Sequence, residues 1–588
     1  MAKGYRPVSR DQPFLFPPDM RDWLGSDHPV WTVLAIVGRL DTSAFHQRRR
    51  VGGVGRAGYD PDMLLTLLIW AWLSGVRSSR RIERACADVL PYRVICAGDV
   101  PDHVTIARFR ADHHEACRLL LSEVLVLAAQ LGMGRLETVA LDGVKMASNA
   151  SLGANRTAAG LAKAAEAEAA RIAEAAIAAH AATDAAEDEE FGADNPGLVP
   201  PELADEASRA AAIDEAIAQL DSQTRVGPDD RAGHDDRPRS ASSAESVVPG
   251  PVRRDRSGRI AQAQARIEAE IAVDHTDRQT MVVQYLARIA AGEKITGRVP
   301  VEAAVALAQR QLDQAIAASQ AKHARWAALD AGPAAARRSA GRRPVPVEQN
   351  ARVRQQRARL DEARAAQAAR ARTDAEAKAD QRMANITDPQ SRMQPVRGGG
   401  WVQGYNCQAV TAADGLIVAT GVGTSPVDSQ YYGEMVEKTV AAAELIIGHR
   451  PADTSQPTAE SIGVVLADAG YCTRENLTAP GPNRLIATGK ARDLHTAARK
   501  HPAAGPPPDD TDPIAAMTHR LRTPEGMATY AQRSHIAETP FGHAKHNLGF
   551  RRFTSRGLAR ARSEWAFHAA VHNIGKIIAH LAAAPLPA

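Results

Sequence analysis

Two short apolar runs, each ending on an aspartate, constrain this chain more than any other feature. Residues 138–141 close the stretch LETVALD on Asp142, and residues 462–467 close SIGVVLAD on Asp468. Brief runs of this kind, bounded by polar or turn residues, read as buried strands. If both lie in one sheet, their terminal acids share an edge. More than three hundred residues separate them, however, and most of that interval has a different composition. From about 153 to 381 it is built of Ala, Glu, Arg, Asp and Gln, with AAEAEAARIAEAAIAAHAA, RIAQAQARIEAEIAV and QQRARLDEARAAQAARARTDAEAKADQR as its purest stretches. These predict long helices, paired antiparallel. Residues 187–256, broken by DNPGLVPPE, GPDDRAGHDDRPRS and VPGPVRRD, predict loop or disorder instead.

The flanks complete the pattern. Before the first strand, residues 60–130 read as successive helices with starts at Pro61, Ser78 and Asp102. This block carries Arg77, Arg80, Arg81, Arg84, Arg108 and Arg110, which suits either a helix-turn-helix-like module docking on DNA or a helical domain with solvated arginines. After the helical interval, GGWVQGYNCQAVTA and GLIVATGVGTS read as strands joined by a hairpin at Ala413-Asp414-Gly415. A helix, the second acid-tipped strand and a helical block over 523–580 follow. The expected fold is therefore an α/β core, a mixed sheet flanked by helices, interrupted once by a long α-helical, coiled-coil-like insertion and preceded by an all-α domain. The divisions fall at 1–130, 131–152, 153–381 and 382–588.

Hydrophobic residues make up 44% of the chain and aromatics only 4%, so alanine carries much of the apolar content and helix is favoured. The most apolar run, residues 63–73, is about half of the ~20 residues a membrane span needs, so no membrane is expected. No secretory signal is apparent, and a cytoplasmic, nucleoid-associated location is expected. Cys86, Cys96, Cys117, Cys407 and Cys472 form no CxxC pair and read as small core residues. With 72 basic and 68 acidic groups the total charge decides little, so any anionic partner must be met by local clusters.

Two-metal cleavage of a phosphodiester needs carboxylates that hold the ions roughly 4 Å apart, and Mg²⁺ prefers such hard oxygen ligands. Asp142 and Asp468 supply two, and a third must come from the later helices, where Glu525, Glu538 and Glu564 are available. Five segments then occur in order along nearly the whole chain. They are GYDPDMLLTLLIWAWLSGVRSSRRIE with PDHVTIARFR, ALDGVKMASNAS, NITDPQSRM with GGWVQGYNCQAV, VVLADAGYCTREN, and YAQRSHIAETPFGHAKHNLGFRRFTSRGLARARSEW with HNIGK. In these the chain resembles the bacterial insertion-sequence DDE transposases, whose catalytic core is RNase H-like, in the branch with a long helical insertion. The resemblance implies that Asp142, Asp468 and Glu538 are the catalytic, metal-binding acids. The more general transposase pattern has one residue fewer between Arg and Glu, where this chain has Ala537. In the branch reading VEHPFG, Glu538 of AETPFG is the equivalent. It further implies DNA-end contacts by Tyr530, Arg533 and Lys545, and binding of terminal inverted repeats and target DNA by a homodimer or larger synaptic assembly. Two Mg²⁺ ions are expected, with Mn²⁺ able to substitute.

The neighbouring residues have their own expected roles. Lys545 lies seven residues beyond Glu538, two helical turns on, so both are expected on one face. Lys145, three residues past Asp142, is expected to reach the substrate backbone. Arg551, Arg552, Arg556, Arg560 and Arg562, with Phe550 and Phe553 interleaved, read as a basic helical stripe against DNA. His535, His543 and His546 lack metal-ligand spacing and are expected at the surface, with His543 and His546 available to phosphate. Trp401, Tyr405 and Trp565 are expected in the core. The insertion is expected first to pack on itself, ahead of bracing DNA, mediating dimerisation or spacing the core. Two other readings keep the same residues: a DNA-binding protein without catalysis, and an RNase H-like nuclease without strand transfer.

Overall fold

The computed structural model describes residues 19–47, 58–191, 251–333, 342–373, 381–396, 398–451, 461–508 and 511–583. Most of the loop expected at 187–256 thus lies outside the described residues. The chain forms two compact units: Met1–Arg156, Gly250–Arg253 and Met383–Ala588 make the first, and Thr157–Pro249 and Arg254–Arg382 the second.

The first unit holds a six-stranded mixed sheet of β1 (Thr138–Ala147), β2 (Arg392–Pro395), β3 (Trp401–Ala412), β4 (Ile417–Gly423), β5 (Val464–Ala467) and β6 (Arg484–Ile486). Its order is β2-β3-β1-β5-β6, with β4 also paired to β3. β3 runs antiparallel to β1 from Val139↔Ala412 to Ala147↔Gly404. Gly404 is required at that crossing, because a Cβ there would collide with the carbonyl of Met146. β5 and β6 add in parallel. The expected hairpin joins β3 to β4, with Gly415 at φ 85°.

Strand β1 does not end at Leu141 but continues through Asp142 to Ala147. The reason is unequal partners: the parallel ladder with β5 stops at Leu141↔Ala467, while the antiparallel ladder with β3 carries on. Asp142 is thus the first β1 residue beyond the parallel pairing.

Helix Leu558–Ala583 lies at the centre of this unit and packs on helices His114–Gln130 and Pro61–Leu73 and on β4. The Pro61–Leu73 helix is apolar on nearly every side and is buried accordingly, with Asp60 capping its first turn. Trp72 meets Phe550 and Phe567 at ring distances of 5.5 and 5.1 Å, so the N-terminal helices and the sheet share one core. Tyr405 and Trp565 belong to that core, as expected. Trp401 does not: it is 61% exposed, at the free end of β3 opposite Pro395 of the short edge strand.

The block at 523–580 is less uniform than its composition predicts. Helices Pro524–Ala531 and Arg533–Gly542 run into a π-helical turn, His543–Asn547, and residues 549–556 are not helical. Pro540 inside the second helix has no N–H to continue the ladder, and Gly549 then takes φ 61°. The seven residues from Glu538 to Lys545 are therefore not two α-turns. Phe550 and Phe553 are fully buried against Trp565, His568 and Tyr405, so they do not interleave a DNA-facing stripe.

In the second unit, helices Ala158–Phe191, Arg256–Ala290, Val301–Asp330 and Ala351–Thr373 pack in succession. Small and branched residues close the last pair, with Ala308, Leu312 and Ala315 against Val353 and Leu360. Among the described residues no helix is long and apolar enough to cross a membrane.

Candidate active site

The register that joins β1 to β5 brings Asp142 and Asp468 to neighbouring positions, since each directly follows the last parallel pair, Leu141↔Ala467. Asp142 accepts the N–H of Gly143 at 2.8 Å. Asp468 caps the short 3-10 helix Ala469–Tyr471, accepting from Gly470 N–H at 2.8 Å. Burial pushes the Asp142 carboxyl up to about 6, Arg533 opposes the rise, and the negative charge of Asp468 adds to it.

Helix Arg533–Gly542 packs on β1 and β3 and brings the other candidates alongside. The Arg533 guanidinium lies 3.4 Å from Asp142 Oδ2 and 3.8 Å from Glu538 Oε1, standing between the two acids. Burial works against its charge, but Asp142, Tyr530, Asp468 and Glu538 together raise its pKa. Tyr530 is buried, and its hydroxyl donates to the carbonyl of Ala467 at 3.3 Å, directly behind Asp468. Glu538 is 59% exposed. Among the described residues the three acids do not close on a common point. The ligand atoms that lie within 4.8 Å of one another belong instead to His46, Asp60 and Asp62, where Asp60 is occupied by its helix cap and His46 by Asp62 at 3.0 Å.

Strand alternation puts Lys145 on the opposite face of β1 from Asp142. Its Nζ donates to Pro426 O and to Asp428 Oδ1, both at 2.9 Å. Asp428 Oδ1 also accepts from Asn406 Nδ2 at 2.7 Å and Gln408 Nε2 at 3.1 Å. The Tyr471 hydroxyl donates to Gln408 Oε1; burial first, then the charges of Asp428, Asp142 and Asp468, raise this phenol well above its ordinary pKa. Asp428, Asn406 and Gln408 escape sequence reasoning. Asn406 and Gln408 sit within a segment that carries no expected site role, and their convergence needs the β1–β3 register.

Glu564 is committed elsewhere, its oxygens accepting from the backbone and hydroxyls of Thr554 and Ser555. Glu525 is exposed in the first turn of helix Pro524–Ala531. Lys545 is half-buried in the π-turn, which lowers its pKa, and its carbonyl accepts from Arg551 Nε at 3.1 Å. Arg80, Arg81 and Arg84 on helix Ser79–Asp88 and Arg108 on helix His103–Asp112 are exposed, as are Arg551, Arg552 and Arg556. Arg77 is not free for a phosphate: it donates to the carbonyls of Gly549 and Arg552 at 2.6 and 3.1 Å and lies over Phe550 at 4.7 Å. His535 and His546 are exposed, whereas His543 is half-buried with its ring 5.5 Å from that of His572.

Two family models match the chain. Residues 18–112 match a transposase domain (DUF772), and residues 508–578 match a transposase DDE domain. The first match covers the exposed arginines of the N-terminal helices, and the second covers Tyr530, Arg533, Glu538 and Lys545. Asp142 and Asp468 fall outside both. No curated protein and no solved structure matches the chain.

Proposed function

We propose that this chain, an insertion-sequence transposase of the DDE class, cleaves DNA at the ends of its own mobile element and joins those ends to target DNA. Asp142, Asp468 and Glu538 hold two divalent metal ions in this reading. The observation that carries it is the β1–β5 register, which sets two aspartates side by side where the parallel ladder ends. The strand order β4-β3-β1-β5-β6, with three antiparallel strands followed by two parallel ones, supports an RNase H-like core.

The residues present fit such ions. The donor set is all carboxylate oxygen, and Asp142 is held at about 6 by burial and by its acidic neighbour, which is where a divalent cation relieves the cost. Bound Mg²⁺, or Mn²⁺ in its place, supplies the Lewis acidity that activates the attacking oxygen and stabilises the leaving one. Glu538, exposed and among the described residues paired with Arg533 alone, is the acid free to adjust. Tyr530 fixes the backbone beneath Asp468, and Arg533 brings a cation close to where a scissile phosphate approaches. Exposed Arg80, Arg81, Arg108, Arg551 and Arg552 contact phosphates and set the register of the DNA, with Lys545 nearer the chemistry. Two or more copies assemble on paired inverted repeats.

The test is cleavage and joining of labelled element ends by wild type and by Asp142→Ala, Asp468→Ala and Glu538→Ala. All three variants are expected to bind ends yet lose at least about a thousandfold in rate, equivalent to ~4 kcal/mol of transition-state stabilisation. An active Glu538→Ala beside an inactive Glu525→Ala shifts the third acid to Glu525. Cleavage without joining makes the protein a nuclease, and binding without cleavage in either metal makes it a DNA-binding protein only.

A further inference from the structure

The loop after β4 places a fourth carboxylate beside the glycines that follow the two candidate aspartates, Gly143 and Gly470. Asp428 opens the 3-10 helix Asp428–Tyr431, and its Oδ1 takes all three donors it meets: Lys145 Nζ, Asn406 Nδ2 and Gln408 Nε2. Its Oδ2 accepts no hydrogen bond from the described residues. Two glycines make room for it. A Cβ at Gly143 would lie 3.0 Å from Asp428 Oδ1 and 2.5 Å from Gln408 Nε2. One at Gly470 would lie 3.5 Å from Asp428 Oδ2 and 3.0 Å from Asp468 Oδ1. These are the same glycines whose N–H groups hold Asp142 and Asp468, each at 2.8 Å. The side chain of Asp428 therefore fills the space a side chain would take at both glycines whose N–H groups hold the acids, on the face of β1 opposite Asp142.

We propose that Asp428 is a positioning residue of the active site: it fixes Gly143 and Gly470, through them Asp142 and Asp468, and its open Oδ2 adds negative charge beside Asp468. Lys145 sets how much of that charge is felt, because its ammonium neutralises Oδ1. The proposal rests on the reading of Asp142 and Asp468 as metal ligands. Groups behind the ligands of a metal site commonly tune affinity by about 10- to 100-fold.

The experiment measures Mn²⁺ binding to the full chain by calorimetry, without DNA, so that the readout is independent of turnover. Asp428→Asn, which keeps the shape and removes the charge, is expected to raise the Mn²⁺ Kd at least about tenfold. Lys145→Met, which leaves Asp428 unneutralised, is expected to lower it. A role confined to packing gives no such opposite pair. A Kd within twofold of wild type for Asp428→Asn overturns the proposal. If that variant does not fold, an unchanged or raised Kd for Lys145→Met overturns it. When wild type binds Mn²⁺, Asp468→Asn abolishes binding and Asp428→Asn keeps a Kd within twofold of wild type, the Asp428 proposal alone fails. When wild type takes up no Mn²⁺, the metal reading fails and this one falls with it.

Discussion

Asp142 carries a cost that shows in stability as well as chemistry. Its carboxyl titrates near 6 in the folded chain against an ordinary value of 3.8, because burial outweighs the help of Arg533. Between those values the folded protein binds more protons than the unfolded chain. The stability this group contributes is thus complete below 3.8 and is lost as pH rises through 6. Asp142→Asn in chelating buffer is therefore expected to stabilise the first unit by about 1–2 kcal/mol at pH 7.5, somewhat less than the shift implies because Arg533 loses a partner. The gain should vanish near pH 4. Urea unfolding at both pH values measures it, and a variant no more stable than wild type at pH 7.5 would falsify the burial account. Which of these residues the sequence reveals follows from how local their signals are. An acid closing an apolar run marks Asp142 and Asp468, and the family resemblance groups Tyr530 and Arg533 with Glu538, although Tyr530 lies on the preceding helix, Pro524–Ala531. The capture of Lys145 by Asp428 is invisible there, since it depends on strand register between segments far apart in sequence.

At the level of elements, the central helix Leu558–Ala583 buries two histidines that must stay neutral. Burial, then His572, His543 and Arg77, hold His568 well below its ordinary range, and among the described residues neither of its ring nitrogens has a hydrogen-bond partner. Burial likewise holds His572 at about 4, although its Nε2 meets the Gly415 carbonyl at 3.0 Å, with His543 and Lys576 opposing the charged form. From 6.5 down to about 4 the unfolded chain binds protons that the folded helix refuses, so stability falls as pH drops through that window. His572 alone accounts for about 3 kcal/mol at the acid end, and His568 acts in the same direction, together exceeding the opposite trend from Asp142. The urea midpoint of wild type is expected to fall between pH 7 and 5, and to fall less in His568→Leu. A midpoint flat over that range sinks the idea. The helix itself is legible from its apolar spacing, as are β3, β4 and their hairpin. The π-turn after Pro540 and the buried irregular segment over 549–556 are not, because Phe550 and Phe553 read locally as exposed aromatics among arginines and only tertiary packing turns them inward.

For the whole molecule, composition changes near residue 153 and reverts near 381, while the first unit ends its first segment at Arg156 and resumes at Met383. What composition does not reveal is that the two ends of the first unit lie side by side at this junction. Strands Asn155–Thr157 and Met383–Asn385 pair, Ile386 N–H donates to Ala154 O at 3.1 Å, and Asn385 Nδ2 reaches Asn155 Oδ1 at 3.1 Å. Each unit also has its own apolar cluster. A hairpin base of this kind needs only a short connection, and the entropy of closing a loop grows slowly with its length. Replacing residues 158–381 by a short Gly/Ser linker is therefore expected to leave the first unit folded, at the cost of the contact between Val252 and Gly557. A single urea transition and a monodisperse elution profile check this. Because the N-terminal helices and the sheet share the core around Trp72, they are expected to unfold together in that transition rather than in two steps. Aggregation of the shortened chain, with the full chain stable under the same conditions, means instead that the intervening helices are needed for the fold and do more than bridge its two halves.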